Sequence, residues 1–379
     1  MASTTASPRP AVSTSSTAEL QPLNTATPLS SKRRLKRQLQ KQLHLLSYRT
    51  GLSSLYAWAN QRITGRSVAS ILMYHSIPSA HEVPWMDPRN CLSAEQFEQQ
   101  MQFLRAHRHV VSIDELTRKI AIDEPIQPGT VAITFDDGYL NNLRVAAPIL
   151  AKYDLPATLY LATAYVAHAE NQWIDTLYST FRARSHHRLV LDNCEWDLTV
   201  QSASAYRTIT QQLIECLPTQ RNTLLKAVDE QLKPTVYPPR MTMNWDEVRE
   251  LVQNYPQFTI GVHTANHIDL ETHSDRTDEE MRLAIAQVES EVGIRPQHLA
   301  FPYNRYNAES QAQVAQHIQS AVAVAEDPVV RTGGHTKTSL HALPRLEGPQ
   351  SLTLLKSWTN GGFPDTTQRL FKQTWTIAS

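Results

Sequence analysis

Short apolar runs recur along the middle of the chain with helical patterns between most of them, and no other feature narrows the fold as much. The runs are Ser70 to Tyr74, Val131 to Phe135, Ala157 to Leu161, Phe258 to Val262, His298 to Phe301 and Ala321 to Ala325. Each is apolar at consecutive rather than alternate positions, as expected of strands covered on both faces. Helical periodicity fills roughly residues 93–106, 140–152, 245–254, 277–292 and 308–319. Strand, helix, strand repetition implies a parallel sheet with helical crossovers, open or closed into a barrel. No repeat of solenoid length is present.

The strand ends carry the chemistry. The second run ends in Asp136-Asp137-Gly138, the fourth in His263-Thr264-Ala265-Asn266-His267, and the fifth in Pro302-Tyr303-Asn304. Parallel α/β folds place active sites at the C-terminal ends of their strands, so three separate strands deliver polar groups to one face. Two histidines four residues apart and a carboxylate from another strand offer two neutral nitrogens and one anionic oxygen. That donor set suits a divalent ion with open positions for water and substrate. Adjacent aspartates leaving a strand diverge, so one is free to bind metal while the other faces water. Taken singly, Asp-Asp-Gly is more often a solvated turn and H-x-x-x-H a pair of surface histidines; their order and placement together favour a site.

The rest of the chain divides by composition. With 379 residues, 36 Lys+Arg and 36 Asp+Glu, the chain has no excess charge to draw it to nucleic acid, and it is long enough for one barrel-sized domain with additions. Residues 1–31 hold thirteen Ser or Thr and four Pro, the composition of a disordered tail. Residues 32–66 open with Lys32, Arg33, Arg34, Lys36, Arg37 and Lys41 beside Leu35, Leu39, Leu43 and Leu46. A basic amphipathic helix of this kind either lies on an anionic membrane through residues 32–41 or packs its leucines on the main domain. Residues 168–240 interrupt the rhythm and end in Tyr237-Pro238-Pro239-Arg240, which marks a helical insertion. Residues 348–379 are expected to be a helical extension. Cys91, Cys194 and Cys216 form neither a disulfide framework nor a C-x-x-C pair. With no apolar stretch of spanning length and no secretory pattern, a cytoplasmic location is expected, peripheral at the inner face of the membrane if the basic helix binds lipid.

TFDDGY at 134–139 and HTANH at 263–267 resemble the first two motifs of the polysaccharide deacetylase family, the NodB-homology or carbohydrate esterase family 4 enzymes. FPYN at 301–304 is similar to the third motif in its exopolysaccharide-type form, and MYHSI at 73–77 to the opening strand of that branch. The resemblance covers roughly residues 68–347 apart from the insertion and places the barrel domain at 67–347. It implies a distorted (β/α) barrel related to the TIM barrel, and hydrolysis of N-acetyl groups on N-acetylhexosamine units of a polysaccharide or its precursor. It also implies Asp136 as general base, Asp137, His263 and His267 as ligands of one divalent ion, and the Tyr303 backbone N–H as oxyanion donor. Zinc is the expected ion, with nickel, cobalt and manganese as alternatives.

Two departures stand out. Where the family's commoner third motif has an Arg that tethers the base, this chain has Ala300, and Arg345 is a candidate substitute. The family's histidine acid has no clean counterpart, and His341 is the stand-in by position. His75, Tyr139, Pro302, Asn304 and Trp173 are candidate substrate contacts; turn or packing roles are the alternatives. The departures leave open a catalytically impaired glycan-binding protein, or an O-acetyl esterase or deformylase acting on a lipid-linked sugar.

Overall fold

The computed structural model describes residues 67–325, 329–332 and 339–360, with positions 20–23, 25, 42, 46, 50 and 51. Seven strands close into a parallel barrel: β1 (Ser67–Tyr74), β11 (Leu343–Glu347), β9 (Ser320–Val324), β8 (His298–Ala300), β7 (Phe258–Val262), β4 (Ala157–Leu161) and β3 (Thr130–Phe135), which pairs back onto β1. Two short strands lie at the margins: β2 (His109–Val110) pairs parallel with β3, and β10 (Val329–Thr332) antiparallel with β1. Both faces of the sheet are covered, and every residue of β3 and β4 is buried.

Alternation along the strands sorts the side chains into two cores. Ile71, Ala132, Tyr160, Ala300, Val322 and Leu343 fill the barrel. Leu72, Tyr74, Ile133 and Phe135 point outward beneath the helical layer. That layer includes α1 (Ala94–His107), α3 (Ala147–Lys152), α8 (Trp245–Asn254), α9 (Thr277–Val292), α10 (Ala308–Val314) and α11 (Leu352–Trp358), whereas α2 (Ile113–Ala121) packs Ile113, Leu116 and Ile120 against the barrel's inner core. Local chemistry starts them where the pattern predicts: Ser93 accepts from the Gln96 N–H, and Asn244 and Glu247 form a reciprocal capping box.

Several details differ from expectation. Helix α2 lies outside the expected helical runs; α10 ends at Val314 rather than near 319; and the expected 140–152 helix carries a π-type turn over Asn142–Ala146. After α4 (Thr163–His168), the inserted stretch holds α5 (Trp173–Ala183), α6 (Ser202–Glu215) and α7 (Pro218–Leu232), but also a hairpin of β5 (Arg188–Leu191) and β6 (Cys194–Asp197). These elements share a core of their own around Phe181, Trp196, Tyr206 and Leu213. The expected tail is in part docked: Leu23 is buried in that core, the Gln21 N–H donates to the Arg182 carbonyl at 2.6 Å, and the Thr25 hydroxyl donates to Asp87 at 3.2 Å. Residues 1–19, 24 and 26–31, and the basic run 32–41, lie outside the described residues, as do residues 361–379. No helix among the described residues is long and apolar enough to cross a membrane.

Candidate metal centre and catalytic face

Asp136 and Asp137 leave the end of β3 in a tight bend. The Asp136 N–H donates to the Tyr74 carbonyl on β1, while Asp137 and Gly138 take φ of 76° and 85°. A side chain at Gly138 would press on Leu161 at 3.0 Å, so both conformation and space call for glycine. Across the barrel mouth, Thr264, His267, Tyr303 and Asn304 are also left-handed. Such residues cost on the order of 1 kcal/mol or more each and persist only where the surroundings fix them.

Asp137, His263 and His267 converge, with one ligand atom from each lying within 4.8 Å of the others. Asp137 Oδ1 lies 3.3 Å from His267 Nε2 and 3.6 Å from His263 Nε2, and it is buried with no hydrogen-bond partner among the described residues. The ring partners fix the tautomers. His263 Nδ1 is 2.7 Å from the Ala300 carbonyl, which only accepts, so Nδ1 carries the proton and Nε2 keeps a lone pair. His267 Nδ1 is 2.8 Å from the Tyr303 hydroxyl. That hydroxyl accepts from Trp173 Nε1 at 2.7 Å and donates to the His267 carbonyl at 3.1 Å, which leaves its second lone pair for the Nδ1–H of His267. Burial pushes the His263 ring down to about 4, so it is neutral at neutral pH. Two Nε2 lone pairs and an unpartnered carboxylate oxygen facing one point fit a divalent ion.

Asp136 is 1% exposed and is gripped by Arg345 from β11, with Nη1 to Oδ1 at 2.7 Å and Nη2 to Oδ2 at 2.8 Å. Burial pushes the carboxyl up, but Arg345 foremost, with His263 and His75, outweighs it and holds Asp136 below the ordinary carboxylate range. His75 Nε2 and His263 Nε2 each lie 4.0 Å from Asp136 Oδ2. Ala300 is buried in the barrel and carries no charge to Asp136, which is held instead by Arg345 from β11.

Other candidates fall elsewhere. His341 precedes β11, at the opposite rim from the aspartates, and its Nε2 is 3.2 Å from the Ile318 carbonyl; this excludes it as an acid at this face. Tyr139 is fully buried and donates to Asp175 at 2.7 Å, so it does not reach substrate. Trp173 is 4% exposed and stands behind Tyr303, with no free face for a sugar. Asn304 accepts from the Val324 N–H at 2.8 Å and pins the turn, and Pro302 is buried in it.

The structure adds Glu347, which sequence reasoning passed over. It lies two residues beyond Arg345 on β11, hence on the same inward side at the mouth, paired in register with Met73. Burial pushes its carboxyl up, while His75 and Arg89 oppose the shift. The signal was available in the sequence as the i, i+2 spacing in LPRLEG.

The polysaccharide deacetylase family model matches residues 123–322, more than half of the chain. The chain belongs to the polysaccharide deacetylase family. YxkH of Bacillus subtilis is 27% identical over 161 residues, covering 41% of this chain and 54% of that one, so the chain spans about half the length of this curated relative. Among solved structures, the Streptococcus pyogenes deacetylase PplD in complex with acetate aligns at a TM-score of 0.50 and 20% identity, over 76% of this chain and 97% of that one. IcaB from Ammonifex degensii aligns at 0.50 and 15% identity, over 78% and 97%. At these identities the structural likeness is one of fold, and it matches the expected (β/α) barrel.

Proposed function

We propose that this deacetylase-family protein hydrolyses N-acetyl groups on N-acetylhexosamine units of a polysaccharide or its precursor, with zinc as the resident ion. One observation carries the reading: Asp136, locked by Arg345, stands beside the convergent Asp137, His263 and His267 at the barrel mouth. A divalent ion held by those three residues would polarise the acetyl oxygen and acidify water. Asp136 is the base that takes the proton of the attacking water; it is ionised at neutral pH, and Arg345 keeps it in one orientation. The Tyr303 N–H, presented by a left-handed turn, donates to the oxygen that gains charge as water adds to the acyl carbon. Glu347 supplies the proton to the sugar nitrogen as the carbon–nitrogen bond breaks, giving acetate and a free amine. His75, partly exposed and beside Asp136, lines the approach.

The test is acetate release from an oligomer of N-acetylglucosamine by the purified protein, before and after chelation. Activity that is lost with chelator and returns with zinc supports the reading. Release indifferent to chelation, or seen only with O-acetyl esters, contradicts it.

A further inference from the structure

We propose that the inserted segment, residues 168–240, is a clamp on the metal-binding loops, with Gln172, Trp173 and Arg221 as positioning residues for Asp137 and His267; this rests on the metal-dependent reading above. Its contacts with those loops are directional hydrogen bonds to the backbone of Asp137 and His267 and to their immediate neighbours in the site. Gln172 Nε2 donates to the Asp137 carbonyl at 3.1 Å. Trp173 Nε1 donates to the Tyr303 hydroxyl, which holds His267 Nδ1. Arg221 Nη1 and Nη2 donate to the carbonyls of Asn266 and His267 at 3.2 and 3.0 Å.

Arg221 is built for this task. It is 1% exposed, and its five N–H groups all have acceptors. Besides the two loop carbonyls, these are the carbonyls of Leu213 and Cys216 at the end of α6, and the Tyr165 hydroxyl on α4. Its guanidinium also lies 5.5 Å from the centre of the Trp173 ring. One cation thereby ties two inserted helices to the His267 backbone. On the opposite side, Glu280 of α9 accepts from the backbone and side-chain amides of Asn266 at 2.8 and 2.7 Å.

The loop needs such support because Thr264 and His267 are both left-handed without being glycine. Indole N–H only donates, so Trp173 always occupies a lone pair of the Tyr303 oxygen and helps set the His267 tautomer that leaves Nε2 available. The barrel supplies the ligands, and the inserted lobe holds the backbone of Asp137 and His267 and the ring orientation of His267.

The test is metal affinity. Trp173→Phe keeps an aromatic ring and removes the indole donor; Arg221→Lys keeps the charge and removes the five-donor fork. Lys226→Ala, on the exposed side of α7, is the control. Binding of Co(II) and Zn(II) is measured by chelator competition, together with the visible spectrum of the Co(II) form and the melting temperature of the metal-free proteins. Both variants should bind 10–100-fold more weakly and shift the Co(II) band, and the control should not. Wild-type affinity and spectrum in Trp173→Phe would overturn the clamp while leaving the deacetylase reading intact. If Arg221→Lys fails to fold, Trp173→Phe decides alone. A wild-type protein that binds neither ion overturns both.

Discussion

Replacing Arg345 by Met tests the feature on which the proposed catalytic face most depends, the tether of Asp136, the proposed base. Both partners are at most 2% exposed, so solvent does not screen the pair. The guanidinium makes two charge-assisted hydrogen bonds to the carboxylate, at 2.7 and 2.8 Å. Removing one partner of such a buried pair leaves the other charge uncompensated, at a cost of about 3–5 kcal/mol. That is a large part of a domain stability of about 5–15 kcal/mol. Asp136→Asn alone strands Arg345 in the same way. The double variant strands no charge, so its loss should be smaller than the two single losses added, by about 3 kcal/mol. Urea unfolding of the four proteins with chelator present gives the cycle directly. Losses that add to within about 0.5 kcal/mol would show that the two side chains do not depend on each other and would refute the tether.

Glu347→Gln should lower acetate release from an amide substrate by about 10²–10⁴-fold, the contribution of a positioned acid, and affect an ester much less; equal losses on both would remove Glu347 as proton donor. His341→Ala should keep wild-type activity, because that ring lies at the far rim; loss of turnover without loss of stability would contradict this placement. Asp175, buried beside Tyr139, is pushed up to about 8 by burial, so between about pH 4 and 8 the folded protein holds a proton that the unfolded chain has released. This contribution to stability is present at low pH and fades as pH rises through that window, by about 1 kcal/mol per pH unit. Asp175→Asn should flatten the dependence in urea melts at pH 5 and 7.5, and an unchanged slope would count against a buried neutral acid.

The convergence of the candidate site was legible in the sequence because parallel topology sends every strand's C-terminal end to one rim. Asp136, Asp137, His263 and His267 could therefore be grouped from the runs they follow. What barrel closure decides was less visible. Arg345 reaches Asp136 because β11 pairs with β1, and β1 pairs with β3; no local pattern states that adjacency. His341 is close to β11 along the chain but precedes it, so parallel topology puts its ring at the rim opposite the aspartates. Trp173 and Tyr139 carry groups that suit a sugar, and only packing shows that both are buried. The hairpin in the inserted lobe had a signal: Asp192-Asn193 between two four-residue runs, both left-handed, as a tight two-residue turn requires.

The most direct measurement is made on Asp136→Asn, with zinc content and acetate release determined on the same preparation. If Asp136 is the base and Asp137, His263 and His267 hold the ion, the variant retains one zinc per chain and releases no acetate from an N-acetylglucosamine oligomer. Wild-type rates of release from that zinc-loaded variant would contradict the account.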